Sequence, residues 1–219
     1  MLGKIAAIAV TAATVTACTC PEPEKRPEII CFGDSLTACG GENGRYSDML
    51  QDSLPDCLLV NRGIGGDTIA GALARLEEDV ISCKGDYLVI GIGANDYWQR
   101  SRPLCELEND YRQIIDRCHA AGMKIVIISC FGNESLPPGV QINVDEPGIP
   151  LEHYAVGIAA FERKIAAEYQ AEYVPDMQCG ILPKGREDLW ADSNHPNAAG
   201  NRIVADTILP ALLKIMGRQ

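Results

Sequence analysis

Three residues have types and spacing suited to nucleophilic chemistry: Ser35, Asp192 and His195. Ser35 follows the apolar run IICF (residues 29–32), which Gly33 and Asp34 break. A short apolar run ending in Gly-Asp-Ser reads as a buried strand turning sharply into a helix. That turn lifts the hydroxyl off the sheet edge. It also aims the first N–H groups of the helix at whatever the serine attacks. With a base in reach such a serine is a nucleophile, and without one it is a helix cap or a turn residue. Only three histidines are present. His119 lies inside a helical pattern and His153 begins another, so neither follows a strand end. His195 stands in the loop segment Asp192-Ser193-Asn194-His195-Pro196. Imidazole is the side-chain type best suited to general-base chemistry near neutral pH. Asp192, three residues earlier, can reach the Nδ1–H and fix the tautomer. The competing roles for Asp192, Asn194 and Asn197 are caps on the last helix.

Two further glycine-rich segments separate these residues: NRGIGGD at 61–67 and Gly-Ala-Asn-Asp at 93–96. Neither GIGGDT nor GIGAND fits the dinucleotide fingerprint, so nucleotide binding is disfavoured. Gly-Asp-Ser-Leu, the glycine turn, Gly-x-Asn-Asp and Asp-x-x-His-Pro occur here in one order, which resembles the SGNH or GDSL hydrolase family. The resemblance covers about Glu28 to the C-terminus. It implies acyl transfer by a triad of Ser35, His195 and Asp192. The backbone N–H of Ser35, the backbone N–H of Gly66 and the side-chain amide of Asn95 would hold the oxyanion. It further implies an esterase, lysophospholipase, thioesterase or carbohydrate O-deacetylase acting on a small acyl ester without a cofactor. The segments at 33–36, 65–68 and 93–96 are most similar to the lysophospholipase and arylesterase branch. A carbohydrate deacetylase is the enzymatic alternative and a binding module the non-enzymatic one. The binding module is disfavoured because it has no need of all three triad residues. A single ionisation should control the acid limb of the rate, since a protonated His195 cannot take the Ser35 proton.

The elements that must position these residues follow from apolar runs and periodicity. Apolar runs predict strands over 29–32, 57–60, 87–92, 124–130 and 173–175. Helical spacing predicts helices over 45–54, 69–81, 106–120, 151–169 and 197–215, the last bent or interrupted at Pro210. Residues 40–44 read as a mobile glycine-rich loop, 61–67 as a turn, and 131–150, with four prolines, as a long surface loop. Strict alternation of strand and helix implies an α/β protein. The expected architecture is a flavodoxin-like three-layer α/β/α sandwich on a five-stranded parallel sheet, which the family shares. In such sheets ligands bind at the carboxyl ends of the strands, where Ser35, Gly66, Asn95 and His195 all fall.

Composition bounds the remaining questions. A chain of 219 residues can bury one sizeable core, and 47% hydrophobic residues exclude wholesale disorder. The formal net charge of −11 argues against nucleic acid and against adsorption to anionic lipid by charge alone. Residues 1–18 carry one lysine ahead of a short alanine-rich stretch, as a secretory signal does. The signal ends Val15-Thr16-Ala17-Cys18, like a bacterial lipobox, so Cys18 is the expected lipid anchor. An ordinary signal peptide cut near Ala17 is the alternative. Residues 19–27, with three prolines and four charges, then form a tether, and 28–219 the hydrolase domain. These features predict an exported lipoprotein anchored in the bacterial cell envelope, a single chain by default. Export would permit disulfides among Cys39, Cys57, Cys83, Cys105, Cys118 and Cys179, while Cys31 and Cys130 fall in core strands. The cysteine spacing suggests no metal site. Trp98, Trp190 and Phe131 either line an acyl pocket or serve as core or rim packing.

Overall fold

The computed structural model describes residues 25–132, 135–136, 138–178 and 186–218. Cys18 and Cys179 lie outside these residues. Five parallel strands, β1 (Glu28–Gly33), β2 (Leu58–Gly63), β3 (Tyr87–Gly91), β4 (Lys124–Ile128) and β5 (Glu172–Val174), form one sheet in the order β2-β1-β3-β4-β5. This is the flavodoxin-like order, and its direction reverses between β1 and β3.

The apolar runs become central strands because both their faces are covered. Ile30, Phe32, Leu88, Ile90, Ile125 and Ile127 face one layer. There they meet helices α3 (Ile69–Leu76), α5 (Leu104–Ala120) and α6 (Leu151–Glu168). The alternate residues Ile29, Cys31, Val89, Val126 and Ile128 face α2 (Tyr46–Ser53) and α7 (Ala198–Ile215). Two short helices, α1 (Ser35–Ala38) and α4 (Ala94–Gln99), leave the carboxyl ends of the two central strands β1 and β3.

Several boundaries differ from the sequence reading. Strand β2 continues through Asn61–Gly63, because backbone pairing with Cys31–Gly33 does not need apolar side chains on an edge strand. The helix predicted over 69–81 is α-helical only to Leu76 and then widens into a π-helical turn, Glu77–Ile81. Helix α7 runs without interruption through Pro210. Segment 40–44 is held rather than left loose: Asn201 Nδ2, buried on α7, donates to the carbonyls of Cys39 (3.0 Å) and Gly44 (2.9 Å). Cys39, Cys57, Cys83, Cys105 and Cys118 are free thiols, as are Cys31 and Cys130, so the disulfides considered among the described cysteines are not formed.

Candidate active site

At the end of β1 the chain turns within two residues. Gly33 is required there by space, since a Cβ would lie 2.1 Å from the Gly91 carbonyl oxygen on the neighbouring strand. Asp34, not Ser35, caps α1: its Oδ1 accepts the Leu36 N–H at 2.9 Å. The cap role considered for Ser35 is thus filled by its neighbour, and Ser35 becomes the first helical residue. Its N–H is then one of the amides that have no acceptor within the helix.

Asp34 is buried, and it also takes the N–H of Ala94 at the start of α4. Burial pushes its carboxyl up from 3.8 to about 6, against those two N–H groups, which pull it down. Between pH 3.8 and about 6 the folded state therefore keeps a proton that the unfolded chain has released. Stability from this group is intact below pH 3.8 and lost as pH rises to about 6, in total about 3 kcal/mol. An amide at this position does not titrate. The unfolding free energy of Asp34→Asn minus that of the wild type should rise by up to about 3 kcal/mol between pH 4 and pH 8. Denaturant melts at the two pH values measure it, and a difference constant with pH would show that Asp34 is ionised like a surface carboxylate.

The base arrives on a loop pinched at its neck. Trp190 and Pro196 form an antiparallel bridge, the Ala191 N–H donates to the His195 carbonyl (2.9 Å), and the Asn197 N–H donates to the Leu189 carbonyl (2.9 Å). Asn197 caps α7 by accepting from Ala199 and Gly200. Asp192, freed from capping, accepts the N–H groups of Asn194 (2.8 Å) and His195 (2.9 Å) on Oδ1. Its Oδ2 lies 2.9 Å from His195 Nδ1. Those donors, the Asn194 N–H first and the His195 ring next, hold its carboxyl below the usual range. An ionised carboxylate only accepts, so Nδ1 carries the ring proton and Nε2 is the acceptor. Nε2 stands 2.9 Å from Ser35 Oγ, across 160 residues of sequence. His119, by contrast, is exposed and packs edge-on against Tyr169.

Opposite this pair lie Gly66 and Asn95. Gly66 has φ +78°, a conformation L side chains rarely adopt, and nothing crowds it on the cleft side. Asn95, read from sequence as a turn residue or a donor, sits on α4. One N–H of its amide goes to the Asp67 carbonyl at 2.8 Å, which leaves the second to face a ligand. Asp96, next in the chain, is buried and accepts the Ile69 N–H at 2.9 Å, tying α4 to the start of α3. The sequence reading gave Asp96 no role, although its place in Gly-x-Asn-Asp was the available signal.

Ser35, Gly66, Asn95 and His195 line one cleft of about 830 Å³. Trp98, Trp190 and Phe131 line it too, and Phe131 and Trp190 also pack against the cores on the two faces of the sheet. Glu152, Gln178 and Asn194 add polar groups, of which sequence reasoning had picked out none as ligand-facing. Beneath the cleft, next to Leu36, Cys130 and Phe131, the adjoining cavity is only about 10 Å³. Among the described residues no cluster of histidine, cysteine and carboxylate side chains could hold a metal ion. The arrangement is a hydroxyl beside an imidazole acceptor, with N–H groups across from it: the parts needed to add a nucleophile to a carbonyl and stabilise the oxyanion.

The sequence model of the GDSL-like Lipase/Acylhydrolase family matches residues 31–203. An acetylxylan esterase of Geobacillus stearothermophilus is 28% identical over 211 residues, spanning 83% of this chain and 92% of its own length. Esterase TesA of Pseudomonas aeruginosa is 26% identical over 198 residues, spanning 86% of this chain and 89% of its own. The crystal structure of TesA superposes with a TM-score of 0.69 at 25% identity, covering 86% of this chain and 99% of that one.

Proposed function

The chain belongs to the GDSL-like lipase/acylhydrolase family and is a carboxylic ester hydrolase; from that premise we propose that it is a serine esterase working through Ser35, His195 and Asp192. The observation that carries the reading is the unbroken relay from the Asp192 carboxylate through His195 to Ser35 Oγ, with contacts of 2.9 Å at each step. In the reading, Nε2 of His195 takes the hydroxyl proton as Ser35 Oγ attacks the ester carbonyl. The carbonyl oxygen becomes an oxyanion facing the N–H groups of Ser35 and Gly66 and the free amide N–H of Asn95. The imidazolium then gives its proton to the leaving alcohol, and an acyl-Ser35 ester remains. Water, deprotonated by the same Nε2, adds to that ester; the acyl–Oγ bond then breaks as the imidazolium returns its proton to Ser35 Oγ, and the acid is released. Asp192 stays ionised and steadies the imidazolium.

The cleft favours short acyl groups on a polyhydroxylated alcohol. A cavity of about 10 Å³ beneath it leaves no room for an acyl chain to run inward past Leu36 and Cys130. Trp98, more than half exposed, and Trp190 offer faces for the apolar side of a sugar ring. Glu152, Gln178 and Asn194 offer hydrogen-bond partners for its hydroxyls. The similarity to an acetylxylan esterase supports the same reading. The branch resemblance in the motifs supports a lysophospholipase or arylesterase-like enzyme instead, and the similarity to Esterase TesA fits an esterase of either kind, so both belong in the test.

Turnover of p-nitrophenyl acetate, butyrate and octanoate should be measured beside an acetylated xylo-oligosaccharide and a lysophospholipid. A second sample is first treated with an organophosphonate, and its label is located by mass spectrometry. The expected result is a rate that falls with chain length, turnover of the acetylated sugar, and loss of all activity as Ser35 is labelled. Activity surviving full labelling of Ser35 would sink the serine mechanism. Long-chain lysophospholipid turned over well ahead of the acetyl esters would sink the acetyl reading and leave the mechanism standing.

A further inference from the structure

The guanidinium of Arg75, on α3, makes four hydrogen bonds to groups from different segments. Nε donates to Asp67 Oδ2 (2.7 Å), and Nη1 donates to the Arg62 carbonyl (3.0 Å) and to Asp79 Oδ2 (2.7 Å). Nη2 donates to the Gly33 carbonyl (2.9 Å), and the group lies over the Phe32 ring at 4.2 Å. The side chain is only 15% exposed, and its two carboxylate partners are 10% and 21% exposed. These partners are not an arbitrary set. Gly33 ends β1, two residues before Ser35. Arg62 lies near the end of β2, four residues before Gly66, and Asp67 follows Gly66 directly. The Asp67 carbonyl in turn holds the amide of Asn95 at 2.8 Å.

We propose that Arg75 is the positioning residue of the oxyanion hole: it fixes the nucleophile turn and the Gly66 loop against each other, and through Asp67 it fixes the Asn95 amide. The inference rests on the oxyanion donors assigned under Proposed function. Strand ends explain why a guanidinium is used. The Gly33 carbonyl, which also accepts the Ile64 N–H at 3.0 Å, and the Arg62 carbonyl lie at the ends of adjacent strands, and Arg75 crosses from one to the other while its Nε faces the Asp67 carboxylate. A planar fork with donors in fixed directions can do this, whereas the compact ammonium of a lysine cannot. Arg75 touches no reacting atom. Its effect is to keep three N–H groups aimed at one point, and donors aimed in advance are what stabilise an oxyanion.

The test compares Arg75→Ala, Arg75→Lys, Asn95→Ala and the Arg75→Ala/Asn95→Ala double variant on p-nitrophenyl acetate, with melts confirming that each is folded. Arg75→Ala is expected to lose about 100-fold in kcat with KM within about threefold, the pattern of an interaction made in the transition state. Millimolar guanidinium should restore about tenfold of that loss and leave the wild type unchanged, and Arg75→Lys should recover little. The double variant should lose well under the product of the two single losses, because both act on one hole. Either rescue or this coupling supports the inference. A folded Arg75→Ala with wild-type kcat overturns it, as does a loss that guanidinium leaves in place and that multiplies in full with Asn95→Ala. Should Arg75→Ala fail to fold, Arg75→Lys carries the same readouts: its kcat loss and its coupling to Asn95→Ala. Asn95→Ala at wild-type rate overturns the oxyanion reading, and this inference with it. A slow Asn95→Ala beside an Arg75→Ala at wild-type rate overturns this inference alone.

Discussion

Ser35→Ala lowers kcat on p-nitrophenyl acetate by about five to six orders of magnitude, the scale of removing the nucleophile from a serine hydrolase. The expectation follows from the neighbourhood of Oγ. It is the side-chain group 2.9 Å from the His195 acceptor, on a turn that aims it into the cleft. Alanine at the first position of α1 disturbs little else, because Asp34 and not Ser35 caps that helix. The variant should therefore melt within about 0.5 kcal/mol of the wild type, as substitutions away from special contacts do. KM, or the binding of a product acid, should also hold, since the N–H donors are backbone and Asn95 groups that the change leaves in place. Steady-state kinetics beside a denaturant melt decide it. Wild-type turnover by Ser35→Ala would remove the covalent mechanism, whereas loss of fold would mean only that the turn tolerates no change.

Local chemistry and long-range contact differ in how far the sequence reveals them. The central strands were legible because runs such as Tyr87–Gly91 are apolar on both faces, and only a covered parallel strand needs that. The Asp192–His195 contact was legible too, since three residues of loop are enough to bring a carboxylate to Nδ1. The Ser35–His195 pair was expected from elimination among the three histidines and from the family order, not from local spacing. Its two atoms meet only when the sheet brings the ends of β1 and the 190–196 loop together. Helix α4 stayed hidden because Gly-Ala-Asn-Asp is equally good chemistry for a turn. The polar end of β2 was missed for a related reason: an edge strand can pair through Asn61 and Arg62 while their side chains point elsewhere. Arg75 reads in sequence as a surface charge with an acid at i+4. Nothing local announces that its other donors reach the carbonyl of Gly33, 42 residues away.

Asp192→Asn is expected to keep the fold and lose about four orders of magnitude in kcat. An asparagine oxygen can still accept the N–H groups of Asn194 and His195, so the loop keeps the bonds that shape it. The Trp190–Pro196 bridge and the Asn197 cap lie outside the change altogether. What changes is the group facing Nδ1. The second carboxylate oxygen, 2.9 Å from that nitrogen, becomes an amide that donates. A donor there favours the tautomer with Nδ1 bare and Nε2 protonated, and that tautomer cannot accept the proton of Ser35 Oγ. The imidazolium formed during attack also loses its neighbouring negative charge. Both losses fall in the transition state, so kcat drops and KM stays within a few fold. Asp192 is more than half exposed, which makes a large change in stability implausible and lets circular dichroism separate misfolding from mis-set chemistry. Burst-phase kinetics add a further check, because acylation and deacylation both need the same base and should slow together. If Asp192→Asn turns over within about tenfold of the wild type, the carboxylate serves to hold the 190–196 loop through its backbone N–H bonds, and the ring is oriented by the loop alone.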